Sequence, residues 1–513
     1  MAIVQNSICV QFFLTLWLTL KTTLCTTWPG SRTARCWKGL EETLDRGLSG
    51  SLLVQSLSRE SGLDRAWPDS LTSRILSQLG QILFAPVRTA YRMAPGWWEG
   101  SLLLRLMGWL SRRTAALLGL LALVMLVIPH ARWNNLYGFL GAAAITAMFV
   151  VGTGSGRIQP ESGLTGPHLP AFFLFVLTAF AGSLSISLSL RFFLFHLTGF
   201  CFAVLMVSSV QQIRQVQHAA AIGLAGLFVS CVYGCIQGIR GVAVVVSQQD
   251  IYLNAGMPGR VYSFFDNPNN FAEIIVMILP LGLALLLNAR TRPGRVVCLV
   301  CLGVGLAAIG YTYSRSGWLG LALAVFVFLA LLDRRMIPLA MVAAVLAIPL
   351  LPRTILNRFL TIGDLRDTST RYRFTIYEAS GTLLQDYWFQ GVGLGSDVMS
   401  QAFQSYPPMF DGNHPVHTHN NYLQMVAELG LAGGLVYLSL VLAQVRGGIR
   451  SFYTTTDPRL RSLLAASVGG FCGILLIGIA EYTWFYPRNM FLFWFLFGII
   501  GACIKLAKKE ACA

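Results

Sequence analysis

The chain has 513 residues, of which 55% are hydrophobic and only 12% charged. Soluble domains carry roughly 25% charged residues, and apolar runs of about 18–20 residues recur here, which excludes one large soluble core and points to an all-α, polytopic membrane protein. The net charge of +16 comes with no basic-aromatic RNA motif and no zinc-finger spacing, so no nucleic-acid partner is expected; the charge is assigned to the lipid bilayer and to membrane orientation.

Residues 1–110 form an N-terminal interfacial region. Ile8–Leu20 is apolar but short for a span, and it lacks the basic leader and small-residue cleavage pattern of a secretion signal. Leu40–Ser58 and Leu71–Tyr91 space Leu, Ile and Val helically among polar residues, as helices lying on the cytoplasmic leaflet do. Trp97 and Trp98 follow, at headgroup depth.

About twelve spans are then predicted. Nine occupy residues 111–351, near Ala115–Trp133, Asn135–Thr153, Leu169–Ser187, Phe192–Val210, Ala219–Ile239, Phe271–Asn288, Val296–Tyr313, Trp318–Leu332 and Met336–Leu351. Three more, near Tyr422–Val445, Leu463–Tyr482 and Met490–Leu506, fall in residues 422–513 with the tail. The eleven cysteines are scattered, and the Cys298-x-x-Cys301 pair lies inside a span, where thiols act as small apolar filler.

Short turns on one side carry seventeen basic residues; those on the other carry six, Arg132, Arg191, Arg240, Arg260, Arg315 and Arg488. The positive-inside rule puts both termini in the cytoplasm and the long 352–421 loop outside. That loop holds Arg353, Arg358, Arg366, Arg371, Arg373, His414, His417 and His419. Its length marks it as functional or disordered, and its many apolar residues favour a folded loop that holds the chemistry. Arg132, Arg191 and Arg488 read as snorkelling anchors. Arg260, in GMPGRVYSFFDNPNNFAE, and Arg315, in the tight YTYSRSGWLG turn, sit where guanidinium forks could converge on an anion at the membrane surface.

Together these motifs resemble the O-antigen ligase family. His419-Asn420, nine residues, then Gly430-x-x-Gly433 is similar to the family's His-Asn-x9-Gly-x-x-Gly signature. Ser314–Gly317 resembles its Ser-Arg-Gly turn with Ser316 inserted, and FDNPNNFAE its Asn-Pro-Asn entry to a span. RFTIYEASGTLLQDYWFQGVGLG resembles its Arg-x-x-x-Trp loop segment, with Arg373 in the arginine place and Tyr377 where tryptophan is usual. The resemblance covers about residues 115–506 and implies a GT-C-like, metal-independent glycosyltransferase, with no cofactor, at the outer face of the bacterial cytoplasmic (inner) membrane. The donor it implies is a glycan on undecaprenyl diphosphate; the acceptor is a glycan, lipid or protein hydroxyl.

The residues suit that chemistry. A diphosphate leaves readily once its charge is balanced, so cations and a base are needed more than a nucleophile. Arg260, Arg315 and Arg373, with Arg371 as a fourth, would hold the diphosphate. His419 would accept the acceptor hydroxyl's proton or hydrogen-bond the diphosphate. Asn420, Gln424 and Glu428 recur every four residues and form one polar stripe, which would shape the substrate site beneath His419. Two alternatives stay open: a metal site built from His414, His417 and His419, and a membrane transporter of a small anion such as bicarbonate.

Overall fold

The computed structural model describes residues 38–39, 42–43, 62–154, 166–245, 256–360 and 368–512. The second interfacial helix is present as α1 (Leu71–Met93), capped by Ser70, whose side chain accepts the Ser73 N–H at 3.1 Å. Ile8–Leu20, Arg366 and all of Leu40–Ser58 except Glu42 and Thr43 lie outside the described residues.

The apolar runs become α2 (Leu102–Ser111), α3 (Thr114–Val127), α4 (Asn135–Gly154), α5 (His168–Ala181), α6 (Ile186–Ser209), α7 (Ile213–Arg240), α8 (Pro268–Asn288), α9 (Arg292–Tyr311), α10 (Arg315–Leu332) and α11 (Met336–Ala347). The long loop contributes α12 (Arg353–Leu360), α13 (Thr368–Tyr387) and α14 (Ser396–Phe403), before α15 (Asn421–Thr454), α16 (Pro458–Ile477) and α17 (Pro487–Ala511). Among the described residues nine helices are long and apolar enough to cross a membrane, namely α4, α6–α10 and α15–α17. The predicted twelve are thus too many by this criterion. The α3 helix has 14 residues and reaches span length only together with α2, from which it is bent by 84°, giving ten at most. Helix α5 stops after 14 residues and α11 after 12. Apolar composition runs on through such breaks, so the sequence overstates their length.

Alternate turns gather on one face of the helices. The Val261 N–H donates to the Tyr311 carbonyl (3.1 Å), Leu184 to Val392 (3.1 Å) and Asn421 to Gly478 (2.7 Å). Helices α10 and α16 run antiparallel in close contact, because a Cβ on Gly473 would lie 2.5 Å from the Gly320 carbonyl oxygen; small residues let membrane helices approach this way. The start of α10 is thereby set beside the end of α16. Helix α17 is buried all round from Met490 to Ile500, as a helix apolar on every face must be.

Arg488 is no snorkelling anchor. It is fully buried, and Nη1 donates to the Met125 and Ile128 carbonyls at 2.9 and 2.7 Å, closing the end of α3. The rings of Trp133, Phe265 and Tyr486 surround its guanidinium. Arg191 pairs with Asp397 of α14 and stays half exposed.

Leu383, Val392, Val398, Met399, Ala402 and Phe403 of the long loop form a small core with Ala427 of α15. Gly430 locks the loop to α15. Its φ of 73° breaks the helix, and the backbone groups left over at a helix end need partners. The loop supplies them: Ala427 and Glu428 carbonyls accept the Val392 and Gly393 N–H groups (2.8 and 3.2 Å), and the Leu431 N–H donates to Trp388 (2.7 Å). A Cβ on Gly430 would fall 1.9 Å from the Phe389 carbonyl oxygen. Gly430→Ala is expected to cost at least about 1–3 kcal/mol from backbone strain alone, with the clash added, and to show as a lowered melting temperature and yield in detergent.

Candidate active site

Two helices begin at one cavity of about 200 Å³ on the gathered face. Asn267 caps α8 and Ser314 caps α10, and their first turns supply Asn269, Arg315 and Ser316 to its wall. Helix N-termini favour anions through unpaired N–H groups and the aligned peptide dipoles. Arg260, Arg358 and Arg373 complete a ring of four guanidiniums with Arg315, together with Tyr313, Thr370 and Glu481.

Arg260 is buried; Nε donates to the Thr312 carbonyl at 2.8 Å and Nη2 to the Asn269 side chain. Burial, and then Arg358, hold its pKa down at about 9, with Arg315 and Arg373 adding to the repulsion and Glu481 opposing it. Three further guanidiniums crowded around that of Arg260 leave the cavity poised for an anion. Arg358 arrives on α12, which docks where the Tyr313 hydroxyl meets Thr354 Oγ1 at 3.1 Å. Arg373 pairs with Glu481, and its Nε is buried with no hydrogen-bond partner among the described residues.

Glu481 is the hub. Its Oε1 receives Arg373 and the Asn269 amide (2.9 Å), and its Oε2 lies 3.3 Å from His419 Nδ1. Burial by itself would raise the carboxyl's pKa, but Arg373, then His419 and His417, bring it down to about 2. His419 is outside the cavity wall and joined to it through this carboxylate. Its backbone holds a φ of 48°, an uncommon conformation for a residue with a Cβ. Neighbours fix it: the His419 N–H donates to His417 Nδ1 (3.2 Å), Tyr377 donates to its carbonyl (3.3 Å), and the Thr418 N–H donates to Gln424 (2.9 Å).

The polar stripe supports that loop and does not line the arginine cavity. Asn420 caps α15 and donates to the Ile479 carbonyl at 2.9 Å. Gln424 and Glu428 are buried; the Gln424 amide donates to Glu428 at 2.8 Å, and the Tyr482 hydroxyl donates to the same oxygen at 3.0 Å. Arg371 is also outside the cavity, exposed, with its guanidinium over the Phe410 ring. Arg358 takes the fourth position that the sequence assigns to Arg371. In the sequence Arg358 is one loop arginine of five, with no local feature to single it out. Glu481 falls inside the predicted eleventh span, Leu463–Tyr482, and is not among the expected site residues, whereas α16 ends at Ile477 and leaves it in the following turn. An acidic residue at the end of an apolar run was the available signal.

The three histidines do not build a metal site: among the described residues no three His, Cys, Asp or Glu side chains form one. His417 packs against its neighbours instead. It is partly buried, with its ring 4.4 Å from Phe485 and 4.2 Å from His419. Burial, and then His419, hold its pKa down at about 3 against the pull of Glu481. An unfolded histidine titrates near 6.5, so between those values the unfolded chain binds a proton that the folded chain refuses. The resulting stability is complete above about pH 6.5 and is lost as pH falls toward 3. Melting temperature in detergent is expected to drop between pH 7 and 5, and to drop less in His417→Gln.

Residues 297–438 match the family described as O-antigen ligase. That segment contains Arg315, Arg358, Arg373, His419 and Gly430, the parts the geometry has joined. The match supports the O-antigen ligase family for that segment. With nine helices among the described residues long and apolar enough to cross a membrane, the chain is that of a multi-pass membrane protein. Two residues of the candidate site, Arg260 and Glu481, lie outside the matched segment and are brought to it by packing. No curated protein matches the chain.

Proposed function

We propose that the protein transfers a glycan from a polyprenyl (undecaprenyl) diphosphate carrier to an acceptor hydroxyl at the outer face of the bacterial inner membrane, both termini being cytoplasmic. The observation that carries this reading is the ring of four arginines over two helix N-termini, linked through Glu481 to His419. Arg260, Arg315, Arg358 and Arg373 take up the diphosphate. The acceptor oxygen attacks the anomeric carbon, the carbon–oxygen bond to phosphate breaks, and the diphosphate leaves with the bonding electrons. The hydroxyl proton passes to His419 Nε2, because Nδ1 faces Glu481, which fixes the tautomer and stabilises the imidazolium that forms. Charge balancing by arginine needs no metal ion. The anion-transporter alternative finds no support, since these charges collect at one end of the helices and not midway along them.

The test is a transfer assay with purified protein, a lipid diphosphate-linked oligosaccharide and a candidate acceptor. Expected are glycosylated acceptor and free lipid diphosphate in equal amounts, with the rate unchanged in EDTA. Activity lost in EDTA and restored by one divalent ion would overturn the arginine-based chemistry.

A further inference from the structure

A second cavity, of about 530 Å³, lies between α1 and the spans α4, α5 and α6. It is far from the arginine ring. Helix α6 starts at the gathered face, where Ser189 donates to the Leu394 carbonyl at 3.0 Å, yet it meets this cavity through Leu197–Ser208, its other half. The wall includes Phe84, Phe149, Phe173 and Val204, and Gly80 of α1 leaves a gap in it. Arg88 is the single charged side chain on the wall, and no carboxylate among the described residues pairs with it.

The rest of α1 shows what surrounds it. Ile75, Leu79 and Ile82 are 44%, 54% and 66% exposed. They fall on one helical face at the i, i+4, i+7 spacing of an interfacial helix. A long apolar trough with one cation in it fits an amphiphile with an anionic head, and its volume is within the range of about 300–1,000 Å³ usual for ligand sites. A bound peptide would bring backbone groups that this wall has few means to satisfy.

We propose that the trough binds an anionic glycerophospholipid of the leaflet opposite the arginine ring. The lipid phosphate pairs with Arg88, one acyl chain fills the space beside Gly80, and the lipid holds α1 onto α4–α6. This site is independent of the transfer chemistry.

The experiment is native mass spectrometry of the full chain in detergent, with phosphatidylglycerol and phosphatidylethanolamine of identical acyl chains. Phosphatidylglycerol is expected to bind about fivefold better, the worth of one basic residue at a lipid surface. Arg88→Gln should abolish that preference, and Arg88→Lys should keep most of it. A Cβ at Gly80 meets nothing within 4 Å, so Gly80→Phe should fill the trough and weaken both lipids. Lipid-free melting temperatures check folding; if Gly80→Phe melts low, Val204→Phe takes its place. Equal binding of the two lipids by the unaltered protein, or unweakened binding by a folded trough-filling variant, would overturn the proposal.

Discussion

His419→Ala is expected to lower glycan transfer by about 10²–10⁴-fold, the usual worth of a positioned acid or base, with little change in melting temperature. The ring is partly exposed, and among the described residues its one side-chain hydrogen-bond partner is Glu481, at 3.3 Å. Its neighbours should divide by position. Glu481→Gln keeps the shape but loses the carboxylate that fixes the His419 tautomer, so kcat should fall even where donor binding is retained. His417→Ala should fall in between, since it removes the acceptor for the His419 N–H, and His417→Asn should recover part of the loss by restoring one. His414→Ala should be mild. The check is turnover of purified variants matched for yield. Near-normal turnover in His419→Ala, with His414→Ala dead, would put the site elsewhere.

Arg315→Ala, Arg358→Ala and Arg373→Ala should each cost about 10²–10³-fold in transfer, the loss seen when one preorganised donor to developing charge is removed. Arg371→Ala should be close to the unaltered protein, because its guanidinium is outside the cavity and over Phe410. Lysine should rescue poorly, as it lacks the bidentate fork. Stability separates the three. Arg373→Ala leaves the buried Glu481 carboxylate with only the Asn269 amide and His419 among the described residues; breaking a buried pair costs up to about 3–5 kcal/mol, so this variant should also melt lower. Adding Glu481→Gln to it should recover stability but not activity. A full loss in Arg371→Ala beside an active Arg358→Ala would show that the ring is drawn with the wrong fourth arginine.

Much of this protein could be read from local sequence. Apolar composition is enough to specify membrane helices, since lipid leaves backbone groups no partner outside the helix, and each of the twelve predicted spans contains a helix. Asn267, Ser314 and Asn420 cap α8, α10 and α15, residue types that favour helix starts, and they hold Arg315 and His419 next to helix ends. Gly430 was visible as a signature, but not its work: only packing shows the Phe389 carbonyl filling the space where a side chain would be.

What tertiary structure alone decided is convergence. Arg260, Arg358 and Glu481 come from three separate connections, and the choice of Arg358 over Arg371 depends on which face of its helix each occupies once the loop has docked. Arg488 shares its apparent setting, a basic residue beside an apolar run, with ordinary anchors, yet it is enclosed by carbonyls of α3 and three rings. Helix formation depends on residues a turn apart, so the sequence carries it openly. The partners of a buried charge come from segments hundreds of residues away, as Arg488 and Met125 do, and no local pattern encodes them.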